Sequence, residues 1–152
     1  MTDGHLTDLL IEEALISDLD EVQRLDALVT AHPKPDHWRL LIEGSRTSPE
    51  SRFFLVARRG DRLLGLIAGE IRVWEFGSPP CGWIYTVAVD PDARETAVGT
   101  RLFQAICARF RRQGASTVRT MVGRNEHLVL SFFRSQGMMA GPFVELEMEI
   151  RP

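Results

Sequence analysis

The stretch Thr86–Leu102, TVAVDPDARETAVGTRL, restricts the fold more than any other part of the chain. It begins with strand character, since Val87 and Val89 are β-branched. It breaks at Asp90-Pro91-Asp92, where Pro91 lacks the N–H that a continuing ladder needs. From about Ala97 the pattern turns helical: Val98, Leu102, Ile106 and Phe110 recur at a spacing that puts them on one face. A strand feeding a helix through so short a loop, with Arg94 at its centre, leaves the first helical N–H groups unpaired beside the positive end of the dipole. That arrangement suits a phosphate or pyrophosphate. An ordinary strand–loop–helix connection has the same spacing, so this stretch alone leaves both readings open.

At 152 residues the chain has the length of one domain with its own core, and a single domain over 1–152 is expected. Apolar residues make up 44% and charged residues 26%, which is ordinary for a soluble globular chain. A net charge of −3 gives no general attraction to nucleic acid or to an anionic membrane. Arg109, Arg111 and Arg112 cluster at a predicted helix end, where the dipole favours cations. No apolar run approaches a membrane span, and Asp3 and Asp8 stand where a secretory signal would be basic. Cys81 and Cys107 lie far apart without metal-ligand spacing and read as free thiols, so a cytoplasmic protein without a metal is expected.

Leu6–Leu15 reads as an opening strand. Ser17 or Asp18 is placed to cap a helix through Leu19, Val22, Leu25, Leu28 and Val29. The His32-Pro33-Lys34-Pro35 run ends it. Asp36 then caps a short helix with Trp38, Leu41 and Ile42 inward, and Gly44–Glu50 reads as a loop. Phe53–Ala57 and Leu63–Val73 read as a hairpin about Arg59-Gly60-Asp61, with Gly65 and Gly69 marking a bulge or close backbone approach. Trp74–Gly82 is a loop leading into a strand over Gly82–Val89. After the central stretch the helix stops at Gly114. Ser116–Val122 is strand-like, Asn125 caps a helix through Gln136 closed by Gly137, and Phe143–Ile150 alternates as a last strand.

The pattern V-x-V-x-P-x-x-R-x-x-x-x-G from Val87 to Gly99 resembles the signature of the GNAT superfamily of N-acetyltransferases, written R/Q-x-x-G-x-G/A in that family. Arg94 and Gly99 match it, while Ala97 replaces the first glycine and Glu95 a frequent second one. A second match closes the chain. Asn125–Met138, NEHLVLSFFRSQGM, resembles the family's terminal motif of an asparagine, an aromatic pair and Gly-Phe, with Phe132-Phe133 as the pair. The resemblance covers nearly the whole chain. It implies an α/β (α+β mixed) fold: a mixed, mainly antiparallel central sheet of about six to seven strands flanked by helices, with two central strands splayed apart.

It also implies acetyl-coenzyme A as co-substrate and a primary amine, small molecule or peptide, as acceptor. The main chain of Val87, Ala88 and Val89 would hold the pantetheine arm. Arg94, Glu95, Thr96, Ala97, Val98, Gly99 and Thr100 would wrap the pyrophosphate, with Asn125 and Phe133 closing the coenzyme site. An acidic Glu95 near a pyrophosphate is repulsive by roughly 1 kcal/mol at exposed contact. Relatives often carry a tyrosine where this chain has Phe133, which cannot donate a proton. Tyr85, the only tyrosine, is the candidate general acid, and an ordinary strand aromatic is its other reading. Glu70 is the best-placed of several candidate bases, which include Glu75, Glu126 and His127. Trp38, Trp74, Phe76 and Trp83 are candidates to line an acceptor pocket. A catalytically degenerate module that binds acyl-coenzyme A without transfer is the rival reading, and a homodimer is compatible with either.

Overall fold

The computed structural model describes residues 8–152, apart from the side chains of Glu95 and Thr96. They form two compact units, divided between Met121 and Val122.

The first unit holds a five-stranded sheet in the order β1-β2-β3-β4-β5. These strands are β1 (Leu9–Glu13), β2 (Arg52–Arg59), β3 (Arg62–Arg72), β4 (Cys81–Val89) and β5 (Val118–Thr120). All neighbours are antiparallel except β4 and β5, which run parallel. Three helices cover it: α1 (Leu19–Val29), α2 (Pro35–Thr47) and α3 (Val98–Arg112). Strand alternation sorts the two faces. Phe54 and Val56 of β2 pack with Val22, Leu25, Trp38 and Ile42 of α1 and α2. On the opposite face Phe53 meets Phe110 of α3 edge-on, with ring centroids 5.7 Å apart. The predicted stripe of α3 is the buried one: Val98, Leu102, Ile106 and Phe110 are all in the core.

Gly65 and Gly69 do mark close approaches. A Cβ on Gly65 would sit 2.9 Å from both Val98 and Leu102, and one on Gly69 only 2.3 Å from the Trp83 carbonyl oxygen. The register of β3 on β4 shifts at the same place. Ala68 faces Thr86 and Gly69 faces Ile84, so Tyr85 is the extra residue of a bulge.

Several local expectations are corrected. The first strand is shorter than Leu6–Leu15; Leu6 and Thr7 lie outside the described residues. Asp18 stands at the α1 start, but its carboxylate accepts the Leu15 N–H (2.8 Å) and takes Arg58 (2.7 Å) instead of capping forward. Helix α2 begins at Pro35, with Lys34 as its flanking residue, because a proline at the first helical position loses no intrahelical bond. It then runs through Gly44 to Thr47, where a loop is expected from sequence. A glycine inside a helix costs about 0.5–1 kcal/mol relative to alanine. Here its missing Cβ leaves room for Arg52, whose Nη1 would be 3.0 Å from one.

The second unit contains α4 (His127–Ser135). Glu126, not Asn125, flanks its start, and Gly137 follows its end at φ 101°. The expected strand over 143–150 has no ladder partner among the described residues, and Val144, Leu146, Met148 and Ile150 are exposed. Alternation gives a segment two faces but not a neighbour to pair with. The sheet therefore counts five strands, not six to seven.

Two buried carboxylates hold the helical layer to its surroundings. Asp26 takes Lys34 Nζ (2.8 Å), Trp38 Nε1 (3.0 Å) and Thr30 Oγ1 (2.9 Å), tying α1 to α2. Asp90 accepts the Asp92 N–H (2.9 Å) and Arg62 Nη2 (3.0 Å). Burial alone would raise the Asp26 carboxyl, but its three donors outweigh burial and hold it below its ordinary 3.8. The Asp92 N–H, opposed by burial and reinforced by Arg62 and Arg24, does the same for Asp90. Depressed carboxyls bind protons better in the unfolded chain. Their stabilisation is present above the unfolded value and is lost as pH falls through the folded values. Melting temperature is therefore expected to fall below about pH 4, near the unfolded aspartate value. The fall should be shallower in Asp26→Asn; an identical acid profile in that variant would remove Asp26 as a source.

Candidate functional site

The ladder between β4 and β5 is short. It pairs Gly82, Trp83 and Ile84 with Val118, Arg119 and Thr120 and stops there. Beyond it, β4 continues to Val89 with only β3 beside it, and Thr120 Oγ1 closes the last carbonyl, that of Ile84 (2.9 Å). The edge of Val87, Ala88 and Val89 away from β3 thus has no strand partner among the described residues. This is the splay between neighbouring strands that the resemblance implies.

That open edge runs directly into the break. Asp90 caps a single 3-10 stretch, Pro91–Thr96, and its buried carboxylate, 1% exposed, pins the loop to Arg62 of the β2–β3 hairpin. Arg24 of α1, 3.9 Å from the same carboxylate, also donates to the Leu63 carbonyl (2.9 Å). Arg94 is exposed on the loop. Ala97 adopts the left-handed conformation (φ 59°, ψ 21°), a position that favours glycine and strains alanine by about 1–2 kcal/mol. Among the described residues, Ala97 at the start of α3 has no side-chain hydrogen bond to cap it. The N–H groups of Val98 and Gly99 belong to its first turn, at the positive end of the helix dipole. Of the loop residues, Glu95 and Thr96 have only their backbone described. Asn125 and Phe133 belong to the second unit, where Phe133 lies on α4 with its ring 5.2 Å from that of Phe132.

Glu70 and Tyr85 come together on the α2 side of the sheet. The bulge turns Tyr85 to this face, and both residues line a cavity of about 210 Å³ with Leu40 and Leu41 of α2, Arg52 and Phe53. Glu70 Oε1 takes Arg72 Nε (3.0 Å), and the Arg72 guanidinium lies 4.6 Å from the Trp83 ring centroid. Burial pushes the Tyr85 hydroxyl well above its usual range, and the neighbouring Glu70 carboxylate pushes it further. Tyr85 therefore keeps its proton throughout the neutral range and can offer a hydrogen bond from its hydroxyl.

The aromatic residues expected to line a pocket do not line this one. Trp38 is core, and Trp74 and Phe76 are exposed in the loop after β3. Trp83 instead supports Arg72. Sequence reasoning did not single out Arg52 or Arg72. The one available signal was Gly44 inside an otherwise helical pattern.

The comparisons agree with this geometry. Residues 16–138 match the acetyltransferase (GNAT) family. No match is found among the curated protein sequences. Among solved structures, the aminoglycoside N-acetyltransferase AAC(6')-Iy in complex with CoA superposes with a TM-score of 0.78 at 16% identity, covering 93% of this chain and 94% of that one. An aminoglycoside acetyltransferase from an uncultured soil metagenomic sample, in complex with sisomicin, gives 0.73 at 19% identity, over 95% and 98%. A Trypanosoma brucei acetyltransferase gives 0.72 at 22% identity, over 95% and 100%. At these identities the solved structures establish the fold, and the family match establishes the membership: the chain belongs to the GNAT acetyltransferase family and is an acyltransferase.

Proposed function

We propose that this chain moves an acetyl group from acetyl-coenzyme A to a primary amine by direct transfer. The observation that carries the reading is the edge of Val87–Val89, without a strand partner among the described residues, running into the start of α3. Main-chain groups on that edge would hold the amide-bearing arm of the coenzyme as a strand neighbour. The loop from Arg94 to Thr100 would hold its pyrophosphate, through amides, the dipole of α3 and the Arg94 guanidinium. A solved relative in complex with CoA supports the same choice of co-substrate.

In the transfer, the amine nitrogen attacks the thioester carbonyl carbon. A C–N bond forms, the C–S bond breaks, and its electron pair leaves with sulfur. The proton shed by the amine passes to Glu70, directly or through water, while a backbone N–H of the β4 edge stabilises the oxyanion. Tyr85, held protonated, would offer a hydrogen bond to the leaving thiolate, and the proton shed by the amine would reach the sulfur from Glu70 through water. The absence of a hydroxyl at Phe133 and the strain at Ala97 favour a second reading, a module that binds acyl-coenzyme A without turnover.

The test is a melting curve. Acetyl-coenzyme A at a hundredfold excess over its dissociation constant is expected to stabilise the protein by about 2.7 kcal/mol. Arg94→Ala should reduce the shift at fixed ligand concentration. An unmoved curve at millimolar coenzyme would overturn both readings, and release of free coenzyme A with an amine panel separates them.

A further inference from the structure

Arg52 and Glu70 stand directly opposite each other on β2 and β3. Cross-strand partners on one face have Cβ atoms about 4.5–5.5 Å apart, and opposite charges there ordinarily attract. These two do not form an ion pair. Glu70 is held by Arg72, whose guanidinium lies over Trp83. Arg52 is exposed, and its guanidinium lies back against α2 at Gly44, with Nη1 3.0 Å from where a Cβ would stand. It has no carboxylate partner among the described residues. Both charges line the same cavity of about 210 Å³.

We propose that the acceptor amine is a small zwitterionic amino acid, its carboxylate bound by Arg52 and its amine set beside Glu70 and Tyr85. The proposal rests on the acetyl-transfer reading and names its substrate class. A guanidinium presents a planar fork that matches a carboxylate, and an unpaired one beside a cavity is the group such a ligand needs. Glu70 and Tyr85 supply the opposite end, and Tyr85 stands on β4 two residues before the edge at Val87 where the acetyl group would lie. A polycationic acceptor would meet the Arg52 guanidinium on the cavity wall, and the Glu70 carboxylate there is already held by Arg72. The cavity also falls below the roughly 300–1,000 Å³ of sites for drug-sized ligands, which suits a small acceptor. Gly44 supports the same conclusion: a glycine that weakens α2 gains a purpose by letting Arg52 fold away from Glu70.

Binding tests this without depending on turnover. The wild-type protein, free and saturated with coenzyme A, is titrated with the common amino acids. Any that bind are compared with the matching amine lacking the carboxylate. At least one amino acid is expected to bind, and its decarboxylated amine about 10- to 100-fold more weakly, the value of a hydrogen-bonded charged pair. Arg52→Gln should abolish that difference. Gly44→Ala, which keeps every charge but crowds the guanidinium, should weaken the amino acid more than the bare amine. If no amino acid binds, or if the bare amine binds equally well, this proposal is overturned while transfer to other amines stands. Failure of coenzyme A to bind would instead overturn the transfer reading, and the titration of the free protein would then show only whether the cavity takes an amino acid.

Discussion

Replacing Gly69 by alanine is expected to destabilise the fold by about 3 kcal/mol or more, the upper end of what overpacking costs. The added Cβ would lie 2.3 Å from the Trp83 carbonyl oxygen, 3.0 Å from Phe110 Cζ and 3.2 Å from Ile84 Cα. Two of these three atoms are main chain, so no rotamer change relieves the clash, and β3 must move off β4 where Tyr85 bulges. For a chain of this length the melting temperature should fall by roughly 6–12 °C. Gly141→Ala is the control, since nothing lies within 4 Å of its Cβ position, and surface changes of that kind stay within about ±0.5 kcal/mol. Chemical denaturation of both variants gives the comparison. A Gly69→Ala midpoint equal to that of the wild type would mean that the two strands are not in contact at the bulge.

The largest kinetic effect should come from Glu70→Gln. If Glu70 takes the amine proton, kcat should drop by about 10²–10⁴-fold, the usual contribution of a general base. The amide keeps the shape and can still meet Tyr85, but it cannot accept the proton. Some stability is lost with the Arg72 pair, whose half-exposed geometry limits it to about 1 kcal/mol. Tyr85→Phe should lower kcat by a smaller factor and leave coenzyme affinity nearly intact, because it deletes one oxygen and keeps the ring. A thiolate with a thiol pKa of roughly 8.5 leaves without much help. Single-turnover rates across neutral pH separate chemistry from product release. Equal rates in wild type and Glu70→Gln would leave water as the base and return Glu70 to holding Arg72.

Local periodicity carried much of the architecture. The strand–break–helix stretch, the buried stripe of α3, the hairpin at Gly60 and the helix ends at Gly114 and Gly137 were all legible, because each depends on residues within a few positions of one another. The loop strain at Ala97 was also foreseeable, since only its φ remained to be found. Other features were settled by partners distant in sequence. The carboxylate of Asp18 could cap α1 or take Arg58, and the choice depended on a strand 40 residues later. Gly44–Glu50 read as a loop because it is polar and contains Pro49, and the helix runs on to Thr47 with Arg52 of β2 packed beside Gly44. The alternation of 143–150 stated two faces and could not supply the neighbouring strand. Tyr85 was nameable from sequence as a hydroxyl on the right strand. Its approach to Glu70, and the separation of Glu70 from Arg52 across one cavity, required the register of β2, β3 and β4. Register is a property of paired strands, and a single residue of bulge changes which face a side chain joins.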